Sequence, residues 1–272
     1  MKMSKVSKTV IYILLGLVAI YFLSPFVYML FSAFKTEAEA IAFPPKLFPS
    51  EWRFQNFADA WNSQPFGRYF LNSVLVTVGT TIGQVLSCSL VAYGFARFNF
   101  KGKNVLFMIL LSTMMIPWDV TMIPQYMEFN MFGWINTLKP LVVPAWFGSA
   151  YYIFLMRQFL MGIPKDFEEA ARIDGANSFQ IYWKIFMPIL RPSLILVGVL
   201  NMITAWNDLG PLIFLQDRSK YTLALGLAQF KGVHTMQIIP MLCITIIMIV
   251  PPIIIFIIAQ KYIVEGTSGS IK

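Results

Sequence analysis

Six long, almost uncharged apolar windows limit this chain to folds that a lipid bilayer can surround. A helix needs roughly 20 residues to cross the hydrocarbon core of a membrane. Hydrophobic residues make up 57% of the chain and charged residues only 12%, against about 25% charged in soluble proteins. The sequence therefore predicts an all-α, polytopic membrane protein with six transmembrane helices. The predicted spans are Thr9 to Phe34, Tyr69 to Ala96, Asn104 to Met127, Pro140 to Met156, Pro192 to Asn207 and Thr235 to Gln260.

Two of these windows reach a sufficient length only by including an acidic residue. The third window continues through Asp119, and the fifth extends to Asp208. We expect both acids in the outer half of the membrane. The first window follows Lys2, Lys5 and Lys8 and is too long for the apolar core of a signal peptide, so we predict a retained span.

Lysine and arginine counts indicate the orientation of the spans. One face holds both termini and the loops 97–103 and 157–191, with thirteen of the 21 basic residues and five of the 13 acids. The opposite face has eight of each, so the first face carries the whole net charge of +8. Basic residues concentrate on cytoplasmic loops. We therefore predict that both termini are cytoplasmic, and the basic composition needs no nucleic-acid partner.

A charged segment from Phe159 to Pro192 interrupts the apolar windows on that face. Pro164 and the acids Asp166, Glu168 and Glu169 favour the start of a helix, because acidic side chains stabilise its positive N-terminal end. Gly175 permits a sharp turn, and Asn177 or Ser178 can cap a second helix. The segment is thus predicted to be a helix-turn-helix that docks on a soluble partner.

The residues of this segment follow a spaced pattern. Glu169, Ala170 and Ala171 are followed after three residues by Gly175, and after nine more by Ile185 and Pro188. This pattern resembles the cytoplasmic "EAA" loop of the permease subunits of binding-protein-dependent ABC importers. The one departure is Met187, where the family usually has leucine, and the two side chains have similar volumes.

The resemblance implies a role for the loop and a set of partners. The family's loop helix sits in a cleft of an ATPase subunit and moves with it, which assigns ATPase coupling to six residues here. The implied partners are a homologous permease, two ABC ATPase subunits and an extracytoplasmic binding protein, in a prokaryotic inner or plasma membrane. The coupling residues are Glu169, Ala170, Ala171, Asp174, Gly175 and Pro188.

The chain is not expected to be an enzyme by itself. It has no G-x-x-x-x-G-K-[ST] loop for cradling phosphates, so ATP and Mg²⁺ are expected on the partner ATPase and no cofactor in this chain. His234 is the only histidine and stands without a cysteine or carboxylate cluster, which argues against a metal site and against covalent catalysis. Cys88 and Cys243 fall within predicted spans and are expected as small apolar fillers.

Further similarity points to the substrate. The segments from Leu71 to Asn104 and from Ala205 to Gly232 resemble the maltose-type, oligosaccharide-importing branch, and specifically its second permease. This resemblance implies an oligosaccharide or a related sugar as cargo. Glycerol phosphate or a polyol is the alternative within the same class, and a stand-alone secondary transporter is the alternative of a different class.

Acids beside tryptophans are the candidates for the substrate pathway. A carboxylate accepts hydrogen bonds from sugar hydroxyls, and an aromatic face covers the apolar side of a sugar ring. The interfacial aromatic belt is an alternative interpretation of the same residues. The pathway candidates are Trp118, Asp119, Trp206, Asn207 and Asp208.

The outer loop after the fifth span is the candidate contact for the binding protein, although a solvated connection would have a similar composition. The chain is predicted to divide into residues 1–68 (first helix and outer loop), residues 69–265 (permease core with the loop at about 159–192) and a cytoplasmic tail, 266–272. The candidate contact residues are Arg218, Lys220, Tyr221 and Gln229.

Overall fold

The computed structural model describes residues 5–232 and 237–268, and these residues form helices and loops without a β-strand. This agrees with the predicted all-α class. Short 3₁₀ segments join several of the helices. The α-helices are α1 Lys5–Ser32, α2 Glu37–Ala40, α3 Gln55–Asn62, α4 Phe66–Arg97, α5 Lys103–Ser112, α6 Trp118–Met131, α7 Lys139–Val142, α8 Ala150–Met161, α9 Asp166–Ile173, α10 Ser178–Ile181, α11 Met187–Ile189, α12 Arg191–Trp206, α13 Leu223–Ala228 and α14 Ile238–Ser268.

Within the described residues, three helices are long and apolar enough to cross a bilayer unbroken, namely α1, α4 and α14. Two bent helix pairs raise the number of spans to five if each pair is counted as one. The count of six spans therefore stays a prediction: the third and fifth windows are bent helix pairs, and the helices described in the fourth are each shorter than a span. The last window begins at Thr235, which lies outside the described residues.

Proline explains the bend in the third window. Helix α5 and its 3₁₀ extension to Met115 meet α6 at 97°. Pro117 adopts an extended backbone, with ψ at 146°, and α6 begins at the next residue. Because proline disfavours a helical conformation in the residue before it, Ile116 is also extended, with ψ at 112°. Asp119 consequently lies in the first turn of a new helix and not within a continuous span.

The fourth window breaks into three pieces. Helix α7 is followed by a 3₁₀ segment, Val143–Phe147, and α8 begins only at Ala150. Gly148 between them has φ +87°, a conformation that favours glycine. Helix α8 has 12 residues, about 18 Å of helix, which is too short for a core of about 30 Å.

The fifth window is bent at its cytoplasmic end, as defined by the predicted orientation. The helix from Ser178 to Ile189 meets α12 at 75°. Pro192, in the first turn of α12, lacks a backbone N–H and cannot continue the preceding helix. Helix α12 ends at Trp206, so Asp208 lies in the following loop and not in a span.

The chain forms two compact units. The first combines residues up to 66 with residues 227–250. In it, Lys35 is almost fully buried, and its ammonium group donates to the Ser32 hydroxyl and the Lys46 carbonyl and lies 4.5 Å from the centroid of the Tyr28 ring. Cys243 is buried and free in this unit, as the prediction of an apolar filler requires.

The second unit combines residues 67–226 with residues from 251 onward. Its core joins α4, α8 and the charged segment through buried aromatic and aliphatic side chains. Cys88 is buried and free in this core, where its sulfur accepts a hydrogen bond from the Ser149 N–H at 3.3 Å. The second unit contains both candidate sites described below.

Candidate functional site

The charged segment folds into two short helices joined by a tight turn, as its sequence predicts. Helix α9 starts with Asp166, two residues after Pro164, and carries three acids in its first turn. It ends in a left-handed residue, Gly175, with φ +80°. The Ala176 N–H donates to the Ala171 carbonyl and the Gly175 N–H to the Arg172 carbonyl, which are the two bonds of a Schellman cap.

Asn177 starts the second helix. Its side chain accepts a hydrogen bond from the Gln180 N–H at 2.8 Å, and the Gln180 side chain accepts one from the Asn177 N–H at 2.9 Å. This reciprocal pair is a capping box, which fixes the direction of α10. The helix-turn-helix is therefore encoded locally, by Gly175 and by the pair Asn177 and Gln180.

Helix α9 has two different faces. Glu168 and Ala171, three residues apart, are buried on the inward face, and Glu168 pairs with Arg172 at 2.8 Å. This hydrogen-bonded carboxylate raises the pKa of Arg172 above its usual value. Glu169 and Ala170 are exposed on the outward face.

The structure thus separates the predicted coupling residues. Glu169, Ala170, Asp174 and Gly175 are exposed, whereas Ala171 packs in the protein's own core. Ala171 lies on the helix face that contacts the chain itself, so it is not part of the exposed surface of α9. Its small volume serves internal packing.

The outward surface also contains apolar side chains that sequence reasoning missed. Ile173 is 87% exposed and Phe179 67% exposed, and Phe167 and Trp183 are about half exposed. The rings of Phe179 and Trp183 stack at 6.4 Å. Exposed apolar side chains next to charged ones are typical of a protein contact surface. We call Phe167, Glu169, Ala170, Ile173, Asp174 and Phe179 the docking surface.

A π-helical turn, Tyr182–Phe186, follows the docking surface. In it the Met187 N–H donates to the Tyr182 carbonyl, five residues earlier. Pro188 has no N–H for the Lys184 carbonyl, and its ring would collide with that carbonyl in a regular α-helix. The wider π-helical turn removes this collision. Pro188, one of the predicted coupling residues, therefore affects the backbone conformation of the loop.

Helix α4 holds the charged segment through three residues at its end. The Arg97 guanidinium donates to the carbonyls of Leu160 and Ile163, at 2.6 and 2.8 Å, and lies 4.5 Å from the Phe186 ring centroid. The Tyr93 hydroxyl donates to the Ser178 carbonyl at 3.4 Å.

Ser89 makes the deepest of these contacts. The hydroxyls of Ser89 and Tyr182 are 2.8 Å apart, and both residues are buried. Sequence reasoning counted Arg97 only as a cytoplasmic charge and missed Ser89 and Tyr93. The available signal was an arginine and a tyrosine one turn apart where an apolar span ends.

The second candidate site is a cleft of about 900 Å³. The structure brings Trp118 and Asp208 together at this cleft, although 90 residues of sequence separate them. A side chain at Gly210 would meet Asp208 Oδ1 at 3.1 Å and the Trp118 ring at 3.4 Å, so glycine permits their approach. The lining residues are Trp118, Gln125, Glu128, Phe129, Phe132, Trp134, Pro140, Leu141, Val143, Pro144, Phe147, Asp208, Leu209, Gly210, Pro211 and Phe214.

The other predicted pathway residues do not line this cleft. Asp119 is exposed at the start of α6, and the Asn207 side chain donates back to the Ile203 carbonyl at 2.8 Å. Trp206 is buried, and its ring meets Phe70 edge to face at 5.8 Å. Trp206 is therefore a packing residue. Gln125, Glu128 and Trp134 are cleft residues that sequence reasoning missed.

The residues predicted to contact a binding protein differ in their exposure to solvent. Arg218 and Lys220 belong to a 3₁₀ turn that Asp217 caps through the Ser219 N–H, at 2.8 Å, and Arg218 is exposed. Tyr221 is only 7% exposed and packs near Tyr69, whereas a contact with a binding protein would require an exposed side chain. Gln229 is half-buried and belongs to the first unit.

The composition of the cleft suits non-covalent binding. The cleft has carboxylates and a carboxamide beside several aromatic rings, which suits a ligand rich in hydroxyl groups. Among residues 5–232 and 237–268, no three His, Cys, Asp or Glu residues are grouped as they would be around a metal ion. His234 lies outside those residues.

Comparison with known proteins relates most of the chain to one family. Residues 86–268 match the family model described as "Binding-protein-dependent transport system inner membrane component". This range contains the docking surface, the π-helical turn and the cleft. The anchoring residues Ser89, Tyr93 and Arg97 also fall within it.

Curated relatives cover nearly the whole chain. The "Probable ABC transporter permease protein YurM" of Bacillus subtilis is 35% identical over 98% of this chain and 89% of its own length. The "Diacetylchitobiose uptake system permease protein NgcG" of Streptomyces coelicolor is 30% identical over 94% of this chain and 85% of its own. The "Melibiose/raffinose/stachyose import permease protein MelC" of Bacillus subtilis is 30% identical over 98% and 97%.

A solved structure has the same fold. It is a chain of a bacterial ABC transporter involved in the import of the acidic polysaccharide alginate, with a TM-score of 0.82. The alignment covers 97% of this chain and 99% of the other at 24% identity. This chain therefore shares its overall fold with a chain of a membrane transporter.

Proposed function

Because this chain belongs to the family of binding-protein-dependent transport system inner membrane components, we propose that it is a permease subunit of an ATP-driven ABC importer for oligosaccharides or related sugars. The observation that carries this proposal is the family match over residues 86–268, with the spaced loop motif and its exposed surface inside the matched range. The chain is a multi-pass membrane protein, and ATP hydrolysis in such systems belongs to partner subunits.

The complete importer would contain this chain, a homologous permease, two ABC ATPase subunits and an extracytoplasmic sugar-binding protein. ATP and Mg²⁺ would be bound by the ATPase subunits, since this sequence has no phosphate-cradling loop. The two permeases together would form the translocation pathway. Closure of the ATPase pair on ATP would favour the outward-open state of the permeases, to which the loaded binding protein docks.

The docking surface would transmit this motion. Glu169 and Asp174 offer exposed carboxylates for a basic or N–H donor on the ATPase, and Ile173 and Phe179 offer apolar contact area. Arg97, Tyr93 and Ser89 tie the segment to α4, so a displacement of α9 would reach a membrane span through buried contacts. The π-helical turn and the 75° bend lead directly into α12.

The cleft would form part of the sugar pathway. Trp118 and Asp208 supply an aromatic face and a carboxylate at one position, as sugar recognition requires. Glu128 is the second acid of the lining, which contains no lysine or arginine. This charge pattern favours a neutral sugar over glycerol phosphate, because an anionic ester would be repelled by two carboxylates. The sugars in the names of the relatives from Streptomyces and Bacillus support the same class.

The proposed topology has six spans with both termini in the cytoplasm. The bent pairs α5–α6 and α10–α12 would be two of the spans, and α7 with α8 would form a sixth, broken span lined by other subunits or helices. The docking surface would then face the cytoplasm. Arg218 and Lys220 would face the binding protein on the outside.

Purification of the full-length chain from native membranes tests the proposal. An ATPase with a phosphate-binding loop and a second, homologous permease should co-purify with it, and the associated binding protein should bind oligosaccharides in a ligand screen. If the binding protein takes glycerol phosphate or a polyol instead, the substrate class is wrong. If the chain catalyses uptake alone in vesicles without an ATPase, the importer proposal is wrong.

A further inference from the structure

A second pocket, of about 510 Å³, lies away from the cleft and the docking surface. It is formed by the turn between α4 and α5 and by one residue of α8. Its lining contains two cations and two asparagines beside apolar groups, in contrast to the aromatic lining of the cleft. The lining residues are Asn99, Phe100, Gly102, Lys103, Asn104, Val105 and Arg157.

Two half-buried cations face this pocket. The Lys103 ammonium donates to the Phe98 carbonyl at 2.9 Å, and Arg157 Nε donates to the Phe95 carbonyl at 3.4 Å. The Arg157 guanidinium also lies 4.1 Å from the Phe107 ring centroid, which fixes its position. Lysine has three N–H donors and arginine five, so both side chains have donors beyond these contacts.

Among the residues that the structure describes, no carboxylate forms an ion pair with Lys103 or Arg157. The charged groups that act on Lys103 are Arg157 and Lys165, and both are cations. In residues 5–232 and 237–268 the ion pairs are Arg53 with Glu51 and Arg172 with Glu168, and neither involves this pocket. Since partial burial of like charges is unfavourable, an anion in the pocket would relieve the repulsion between them.

The backbone adds to the preference for an anion. Gly102, with φ +82°, reverses the chain so that the ten-residue helix α5 begins at Lys103, beside the pocket. The unpaired N–H groups of a first helical turn carry partial positive charge. The pocket thus combines two side-chain cations with the positive end of a helix.

The surface next to the pocket is apolar. On α5, Val105, Leu106, Met108 and Ile109 are each at least half exposed. A ligand with a negative head and hydrocarbon chains would place its head at Lys103 and Arg157 and its chains along this face. Basic pockets beside spans on the cytoplasmic side are suited to anionic lipid headgroups.

We propose that Lys103 and Arg157 form a binding site for the phosphate headgroup of an anionic phospholipid of the cytoplasmic leaflet, with the acyl chains on the exposed face of α5. The site contacts the loop that leads from Arg97, the residue that holds the charged segment. Bound lipid would therefore stabilise the anchoring end of α4. This inference rests on the proposed topology, in which the turn between α4 and α5 is cytoplasmic, and it does not depend on which sugar the protein carries.

The test uses the full chain with its co-purified subunits, in nanodiscs of phosphatidylcholine alone or with phosphatidylglycerol added. Native mass spectrometry counts the phosphatidylglycerol molecules retained. Lys103→Gln should weaken retention about fivefold, the contribution of one basic residue at an anionic surface. Lys103→Arg should restore it, and Lys101→Gln is the matched control, because Lys101 is in the same turn but does not line the pocket.

Three results would overturn the proposal. Equal retention by wild type and Lys103→Gln would show that the pocket does not bind the headgroup. Binding of inorganic phosphate at millimolar concentration, with no phosphatidylglycerol retained by wild type, would identify a soluble anion as the ligand. Loss of the ATPase from Lys103→Gln with lipid retention unchanged would identify the pocket as a protein contact. If Lys103→Gln does not assemble, Arg157→Gln, which also removes one cation from the lining, should weaken retention by a similar factor.

Discussion

The hydroxyl groups of Ser89 and Tyr182 lie 2.8 Å apart in the core of the second unit, where they join α4 to the π-helical turn after the docking surface. Ser89 also donates to the Leu86 carbonyl at 3.0 Å, which orients its hydroxyl to accept from Tyr182. Removing one partner of a buried hydrogen bond lowers the free energy of unfolding by roughly 1–3 kcal/mol, because the other hydroxyl stays buried without a partner. Removing both hydroxyls costs less. Removing one partner of this contact should therefore destabilise the connection between the charged segment and α4.

We expect Ser89→Ala to destabilise the protein by about 1–3 kcal/mol, because it leaves the Tyr182 hydroxyl buried without this partner. The double variant Ser89→Ala with Tyr182→Phe should be more stable than Ser89→Ala alone. Thermal unfolding of the purified complex measures both changes. A double variant at least as unstable as the sum of the two single variants would exclude a direct interaction.

The turn at Gly175 should tolerate asparagine and reject proline. Gly175 has φ +80°, and its N–H donates to the Arg172 carbonyl at 3.0 Å. Proline fixes φ near −65° and lacks this donor, whereas asparagine is tolerated in left-handed caps. We expect Gly175→Pro to abolish ATP-driven uptake with membrane insertion intact. Gly175→Asn should retain most of it, and uptake by Gly175→Pro at the wild-type rate would contradict the assignment.

Of the two acids predicted in the pathway, only Asp208 lines the cleft. Asp208→Asn keeps the hydrogen bond to the Gly210 N–H but removes the negative charge, so the fold should be preserved. Loss of a charged hydrogen bond to a sugar hydroxyl would reduce the maximal uptake rate about tenfold or more. Asp119→Asn is the matched control and should leave the rate unchanged. Equal maximal uptake rates for Asp208→Asn and Asp119→Asn would show that Asp208 does not contribute to the substrate pathway.

Acid should loosen the first outer loop. Hydrogen bonds from Ser50 and Thr36 lower the pKa of Glu39 to about 2. Because the folded pKa lies below the ordinary value of 4.5, these bonds stabilise the loop fully above about pH 4.5 and are lost as the pH falls towards 2. Glu39→Gln should remove this pH dependence. The rate at which an acid-active protease cleaves the loop, measured between pH 5 and pH 2.5, reports this pH dependence. Identical pH profiles for wild type and Glu39→Gln would contradict the prediction.

The local structure of the charged segment could be predicted from its sequence because short-range rules determine it. Gly175 and Asn177 have the conformations that their residue types favour, and both elements formed where expected. The inward orientation of Ala171 could not be predicted, since it depends on which face of α9 meets the core. The exposed apolar part of the docking surface was missed for the same reason.

The spans were less predictable because composition does not show where a helix bends. Ile116 and Pro117 turn the third window by 97°, and Gly148 with Pro144 breaks the fourth, although both windows are predominantly apolar. The cleft arises from these breaks, which bring Trp118 next to Asp208. Tyr221 was predicted as a contact for a binding protein together with its charged neighbours, and its burial could not be predicted because it depends on the packing of the loop.

The central claim is that Glu169 on the docking surface receives the motion of an ATPase. The direct measurement is sugar uptake per ATP hydrolysed, in vesicles containing the complete importer with wild type, Glu169→Lys or Asp166→Lys. Both substitutions change one exposed acid of the same helix, and Asp166 lies outside the docking surface. Glu169→Lys should lose transport with normal insertion, while Asp166→Lys retains it. Wild-type uptake per ATP by Glu169→Lys would contradict the coupling role.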